Sequence, residues 1–126
     1  AQAEVDLGYA KRNQGDSTGA LRHFERSLKI REKLLGPGSF DCALSIDQMG
    51  NTYKTMGRWD DAEAHYQRAL KIKEGFKFDK PAYRDAHIGQ SKNNLALICF
   101  SKNDYDTAEK LFREAGAGVP DSARRF

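Results

Sequence analysis

The sequence predicts an all-α chain of three helix pairs stacked as a solenoid, and three observations carry that prediction. Displaced by 42 positions, the chain falls on itself: Gly8 on Gly50, Gly15 on Gly57, and Ala20–Glu32 on Ala62–Glu74 through most of its length. A further displacement of 46 puts Met49 on Leu95, Gly50 on Ala96, Trp59 on Tyr105, Ala62 on Ala108 and Tyr66 on Phe112. Within each copy the apolar residues recur three or four apart, the spacing of one helix face. A unit of this length buries its apolar face against its neighbours, which is the logic of a repeat protein.

The units run over about 2–36, 40–75 and 83–116 of one array fragment spanning 1–126. In the first, Leu7 and Ala10 mark one helix, Gly15 a turn, and Ala20, Phe24, Leu28 and Ile30 a second helix. The segment Leu35-Gly36-Pro37-Gly38-Ser39 links it to the next unit. There a helix over Phe40–Met56 carries Ala43, Ile46, Met49, Tyr53 and Met56 on one face. Gly57 stops it, as a residue of positive φ at a helix C-terminus. The partner helix starts near Trp59 and carries Ala62, Tyr66, Ala69, Leu70 and Ile72. The linker from Gly75 to Ala82 is longer and accounts for the displacement of 46; its Phe76 and Phe78 are either docking residues or a flap over the core. In the third unit Asn103 replaces the turn glycine, since Asn also tolerates the left-handed region. Gly116, Gly118 and Pro120 then end the last helix, and 117–126 is a tail or the start of a further unit.

Small residues have a steric job in this scheme. Gly8, Gly50 and Ala96 sit where the paired helices cross closely, with Ala20, Ala62 and Ala108 on the answering side. Phe24, Tyr66 and Phe112 are packing aromatics.

Composition excludes several functions. The 126 residues suffice for one small domain or a short run of repeats. Lys and Arg number 21 against 18 Asp and Glu, a net charge of +3 spread along the chain. No segment is the concentrated positive face a nucleic-acid binder needs. The ridge Arg22, Arg26, Lys29, Arg31 and Lys33 is broken by Glu25 and Glu32, so it reads as a solvated convex face rather than a lipid or nucleic-acid contact. No apolar run approaches the roughly 20 residues that span a bilayer. Cys42 and Cys99 lack CxxC spacing and read as buried free thiols. With no signal-peptide pattern at the N-terminus, an intracellular, cytoplasmic location is expected.

The spacing of Leu7-Gly8, Gly15-Asp16, Ala20, Phe24 and Ser27-Leu28, with Trp59 and Tyr105 after their turns, resembles the tetratricopeptide repeat. Ile30–Gly36, Ala69–Glu74 and Asn93–Ala96 resemble its 42-residue variety, found in kinesin light chains. The resemblance covers about residues 2–116. It departs from the pattern at Lys11 and Cys99, where an aromatic is usual, and at Gly116, where Leu is. What it implies is a superhelical solenoid whose first helices line a concave groove for protein or peptide partners.

Motifs for chemistry are missing: there is no P-loop, GxGxxG, HExxH, calcium loop or nucleophile elbow. The sequence therefore predicts no enzyme, no catalytic residue, no small-molecule substrate, no cofactor and no metal. His23 and His65 hold equivalent places one repeat apart, too far for one metal when metal–nitrogen bonds are about 2 Å; His87 has a surface role. Asp60, Asp61, Asp104 and Asp106 open second helices, where free N–H groups and the helix dipole favour carboxylates.

Helical phase together with the resemblance selects the groove. Its residues are Tyr9, Arg12 and Asn13 in unit one, Asp47, Asn51 and Lys54 in unit two, and Asn93, Leu97 and Phe100 in unit three; Gln2, Val5 and Gln48 share that phase. Arg12 and Lys54 stand at equivalent steps for an acidic group, and the amides of Asn51 and Asn93 suit a ligand backbone. Tyr9, Leu97 and Phe100 supply apolar contact. The repulsion from Asp6 and Asp47 disfavours a terminal carboxylate, so an internal segment with an aromatic and an acidic residue fits best. The alternative is a structural module, a homo-oligomer associating through uncapped ends or the convex face.

Overall fold

The computed structural model describes residues 2–116, and all regular structure among them is helical. Six helices follow in order: α1 (Gln2–Asn13), α2 (Ser17–Leu35), α3 (Phe40–Thr55), α4 (Trp59–Gly75), α5 (Pro81–Ser101) and α6 (Tyr105–Glu114). They fall within two compact units, Ala1–Phe76 and Lys77–Phe126. In the first, α1 packs on α2, α2 on α3 and α3 on α4; in the second, α5 packs on α6. The expected tail or further unit over 117–126, with Gly118 and Pro120, lies outside the described residues.

One turn closes all three pairs. Gly57 has φ +74° and Asn103, the single non-glycine at positive φ among the described residues, has φ +65°. The Gly57 N–H donates to the Lys54 carbonyl at 3.0 Å and the Arg58 N–H to Tyr53 at 2.9 Å. Asn103 and Asp104 repeat this with Phe100 and Cys99 at 3.0 and 2.8 Å, and Gly15 and Asp16 with Arg12 and Lys11 at 3.0 and 2.8 Å. This double bond is the Schellman closure, which satisfies carbonyls that the helix end leaves open.

Caps start the helices. Asp16 Oδ1 accepts the Gly19 N–H at 2.9 Å, Ser39 Oγ that of Cys42 at 3.2 Å, and Asp104 Oδ1 that of Thr107 at 3.4 Å. In α4 the cap position holds Arg58, whose side chain makes no capping bond and instead pairs with Asp61 at 2.7 Å. Of the acids expected at helix starts, Asp104 thus caps, while Asp60, Asp61 and Asp106 sit in the first turn, where the helix dipole favours them.

The core of the first unit is a continuous cluster that includes Val5, Phe24, Leu28, Ile46, Met49 and Ala69. In the second, Ala96, Cys99, Ala108 and Phe112 cluster, and Ile88, Leu95 and Ile98 are also buried. Both cysteines are buried and free. The close crossings differ in one respect from the sequence expectation. A Cβ on Gly8 would stand 2.6 Å from the Phe24 ring, and one on Gly50 2.7 Å from the Tyr66 ring. The aromatics, not Ala20 and Ala62, fill the space that the glycines leave; those alanines are fully buried nearby. Leu7 and Ile30, expected on the apolar face, are partly exposed. Leu7 is 47% exposed where its aligned counterpart Met49 is 5%. The reason is that α3 is packed by both α2 and α4, whereas α1 packs chiefly on α2.

Candidate functional site

Two helices of the first unit present matching ladders. On α1, Val5, Tyr9 and Arg12 follow at i, i+4 and i+7; on α3, Leu44, Gln48 and Asn51 do the same. Such residues share one stripe of a helix. Gln2, Val5, Tyr9, Arg31, Leu44 and Gln48 enclose a concavity of about 160 Å³. Val5, Tyr9 and Leu44 give it apolar lining, and Gln2, Arg31 and Gln48 polar lining.

The polar groups form a connected network. Arg12 Nη1 donates to Gln48 Oε1 at 3.2 Å, and its guanidinium lies 5.2 Å from the Tyr9 ring and 5.8 Å from the Phe24 ring. Tyr9 meets Phe24 edge to face at 5.7 Å. Asn51 Nδ2 approaches Gln48 Oε1 at 3.5 Å, a weak contact by its length. Asn51 Oδ1 accepts the hydroxyl of Tyr66, which reaches it from α4. That bond fixes the amide, with its oxygen toward Tyr66 and its Nδ2 toward Gln48.

Burial raises the Tyr66 pKa above the usual phenol value, with the charge of Asp47 adding to the rise and that of Arg12 opposing it. The sign of the pH effect follows. Above the ordinary tyrosine value of about 10 an unfolded chain loses this proton while the folded chain keeps it, so the folded state is destabilised as pH rises from there. Comparing urea midpoints at neutral pH and near pH 11 should show Tyr66→Phe losing less stability on alkalinisation than the parent. At neutral pH the variant should cost about 1 kcal/mol for the lost hydrogen bond. Equal alkaline loss in both proteins would remove Tyr66 as a source of the slope.

The selected residues are placed unequally. Tyr9, Arg12 and Asn51 converge through Gln48. Asn13 is exposed at the end of α1, and Lys54 is half-buried without an ion pair among the described residues. Asp47 is not at the surface: it is 7% exposed, and its Oδ2 is 2.6 Å from the Nζ of Lys73, itself 1% exposed. Its charge is engaged inside the helix pair. On α5 of the second unit, Leu97 is exposed, Phe100 is half-buried against Tyr105 at 5.3 Å, and Asn93 is half-buried. Asn93 Oδ1 is buried without a hydrogen-bond partner among the described residues.

Leu44 and Arg31 line the concavity although helical phase did not select them. The sequence places Arg31 on the convex ridge; in the structure its Nη1 reaches α3, donating to the Asp41 carbonyl and to Ser45 Oγ, both at 3.0 Å. The signal was in the repeat, since Arg31 aligns with the buried Lys73.

The histidines are engaged separately. His23 Nδ1 is 2.8 Å from Glu4 Oε2, His65 Nδ1 bonds the Asp61 carbonyl at 2.8 Å, and His87 stacks on Phe78 at 5.6 Å. Among the described residues no group of three or more His, Cys, Asp or Glu is arranged to hold a metal. No described helix is long and apolar enough to cross a membrane.

Comparison with known proteins supplies the family. A family model described as tetratricopeptide repeat matches residues 1–75, and a second of the same description matches residues 48–123. The chain is 25% identical over 124 residues to tetratricopeptide repeat protein 23 of Rattus norvegicus, covering 96% of this chain and 27% of that protein. It is 30% identical over 96 residues to kinesin light chain-related protein 1 of Arabidopsis thaliana, covering 76% and 15%. Among solved structures, BtubC (BKLC) of P. vanneervenii superposes with a TM-score of 0.77 at 18% identity, covering 97% of this chain and 48% of that one. A putative kinesin light chain of Podospora anserina with nearly identical TPR-like repeats gives 0.73 at 16% identity, covering 98% and 56%. The chain thus spans only part of each relative. Proteins of this repeat generally mediate protein–protein interaction and are typically non-enzymatic scaffolds. Three helix pairs closed by one turn, the glycine–aromatic crossings and the two family matches together make this chain a member of the tetratricopeptide repeat family.

Proposed function

We propose that the chain is a protein-interaction scaffold that holds an extended peptide segment along the inward residues of its first helices. The observation that carries this is the network of Arg12, Gln48 and Asn51 beside the concavity with its apolar lining of Val5, Tyr9 and Leu44. An apolar or aromatic side chain of the peptide enters the concavity, and an acidic neighbour meets Arg12. The Asn51 amide, oriented by Tyr66, donates to the peptide backbone. Lys54 and Asn13 extend the contact; in the second unit, taken by itself, Asn93, Leu97 and Phe100 offer amide and apolar contacts on α5. Asp47 contributes through Lys73 and Tyr66 rather than by touching the ligand. The module works without catalysis and inside the cell, in the cytoplasm, where two free buried thiols stay reduced.

The test is an amide-shift map of the full chain against a diverse peptide library, after sedimentation has fixed its oligomeric state. Saturable shifts at Tyr9, Arg12, Gln48 and Asn51 are the expected result. Silence there, with concentration-dependent broadening around Leu7 and Leu34, would favour the second reading, self-association. The exposure of Leu7 against the burial of its counterpart Met49 supports that alternative.

A further inference from the structure

The first helix pair differs from the second at one place where the repeat offers its own control. In the second pair, Tyr53 lies against His65 with ring centroids 4.9 Å apart, and the Arg58 guanidinium stands 5.0 Å over the same ring. Forty-two positions earlier, Tyr53 becomes Lys11, Arg58 becomes Asp16 and Ala64 becomes Arg22, while His65 and Arg68 correspond to His23 and Arg26. Without the ring, the first pair carries a concavity of about 210 Å³ lined by Lys11, Asp16, Gly19, Arg22, His23 and Arg26. It shares no residue with the concavity between α1 and α3.

The cations around it outnumber the acids. Arg31, Arg58, Lys73, Lys92 and Arg113 all find polar partners in the fold. Lys11, Arg22 and Arg26 pair with no carboxylate among the described residues. Arg22 and Arg26 stand four apart on α2, where like charges repel. The two acids close by are already engaged: Asp16 caps Gly19, and Glu4 meets His23. Among the lining residues three cations less Asp16 leave a net +2, and Glu4, outside the lining but bonded to a neutral His23, lowers the local sum to +1.

We propose that this concavity binds a phosphate monoester on a partner protein, a phosphoserine or phosphothreonine side chain. A phosphate dianion is drawn more strongly than a carboxylate monoanion to three cations on one concavity. A phosphate also presents three acceptor oxygens to two guanidinium forks and an ammonium. A membrane surface fits less well, because Glu4, Asp16 and Glu25 lie on the same two helices and would meet the anionic headgroups. The site is independent of the peptide contacts proposed above.

Titration of the full chain with a blocked pentapeptide, phosphoserine between pairs of alanines, tests this by amide shifts. The expected result is saturable shifts confined to the region of Lys11, Gly19, Arg22 and His23, with affinity at least tenfold above that of the unphosphorylated twin. Lys11→Tyr, which restores the residue of the second pair, and the exposed Arg26→Gln should each weaken binding at least tenfold. Arg68→Gln, the aligned change in the second pair, should leave it unaltered. Equal binding of the twin, or non-saturating shifts scattered over exposed lysines and arginines, would overturn the proposal. So would inorganic phosphate binding as tightly as the peptide, which would assign the site to the free ion. Phosphoinositide vesicles that bind the parent and Lys11→Tyr alike, with no response to the peptide, would assign the basic face to membranes instead.

Discussion

Lys73→Met should destabilise the first unit by about 3–5 kcal/mol, the usual cost of removing one member of a buried ion pair. The methionine fills the lysine's volume, so the loss comes from the Asp47 carboxylate, left in the interior without the ammonium now 2.6 Å away. The repeat suggests the rescue. Val5 occupies in α1 the place that Asp47 occupies in α3, and it is buried there. Asp47→Val combined with Lys73→Met should therefore return most of the lost stability, because an apolar pair of similar volume carries no desolvation penalty. Urea midpoints of the parent, the two single variants and the double variant close the cycle. A Lys73→Met loss below about 1 kcal/mol would mean that water reaches Asp47 easily, far less than a buried pair requires.

Gly50→Val should cost about 3 kcal/mol, near the upper end of ordinary overpacking. Two effects oppose each other. Replacing a mid-helix glycine gains up to about 1 kcal/mol of helix propensity. Against it, the first added carbon already stands 2.7 and 2.8 Å from two carbons of the Tyr66 ring. That ring is fully buried and its hydroxyl is tied to Asn51, so it has nowhere to retreat. The two further methyl groups make the clash decisive. Gly75→Ala is the control, since open space surrounds its Cβ and its φ is not in the left-handed region; it should be neutral or slightly stabilising. The same clash should release Asn51, moving its side-chain amide resonances even under conditions where the variant remains folded. A Gly50→Val midpoint equal to the parent's would show that α3 and α4 separate without loss.

The pairs, their turns and most helix ends were readable because each depends on a few local residues. A left-handed position asks for Gly or Asn, and Gly15, Gly57 and Asn103 stand where the turns are. The coupling between Asp47 and Lys73 was not readable, because a charged residue at the margin of a helix face reads as solvated until its partner is found 26 positions away. Arg31 escaped for the same reason: its stem follows α2 while its guanidinium reaches α3. Helical phase put Tyr9, Arg12 and Asn51 on the inward stripes, and in the structure Gln48 links Arg12 to Asn51. It could not show that the hydroxyl of Tyr66, a residue assigned to packing, holds one of them in place. Nor could it reveal that the first pair, with Lys11 and Arg22 where the second has Tyr53 and Ala64, carries a charged concavity.

The shared turn has a consequence for how the chain acquires its structure. Each pair is closed by hydrogen bonds between residues three and five apart, and in the first two a glycine–aromatic crossing joins residues 16 apart, Gly8 to Phe24 and Gly50 to Tyr66. Little chain entropy is spent before these contacts form, so a pair assembles rapidly and early. Changes of length at the Gly36-Pro37-Gly38 joint fall between such self-closing hairpins rather than within one. Copying or deleting a whole pair therefore preserves every turn, which is how a chain of this kind lengthens without learning a new way to fold.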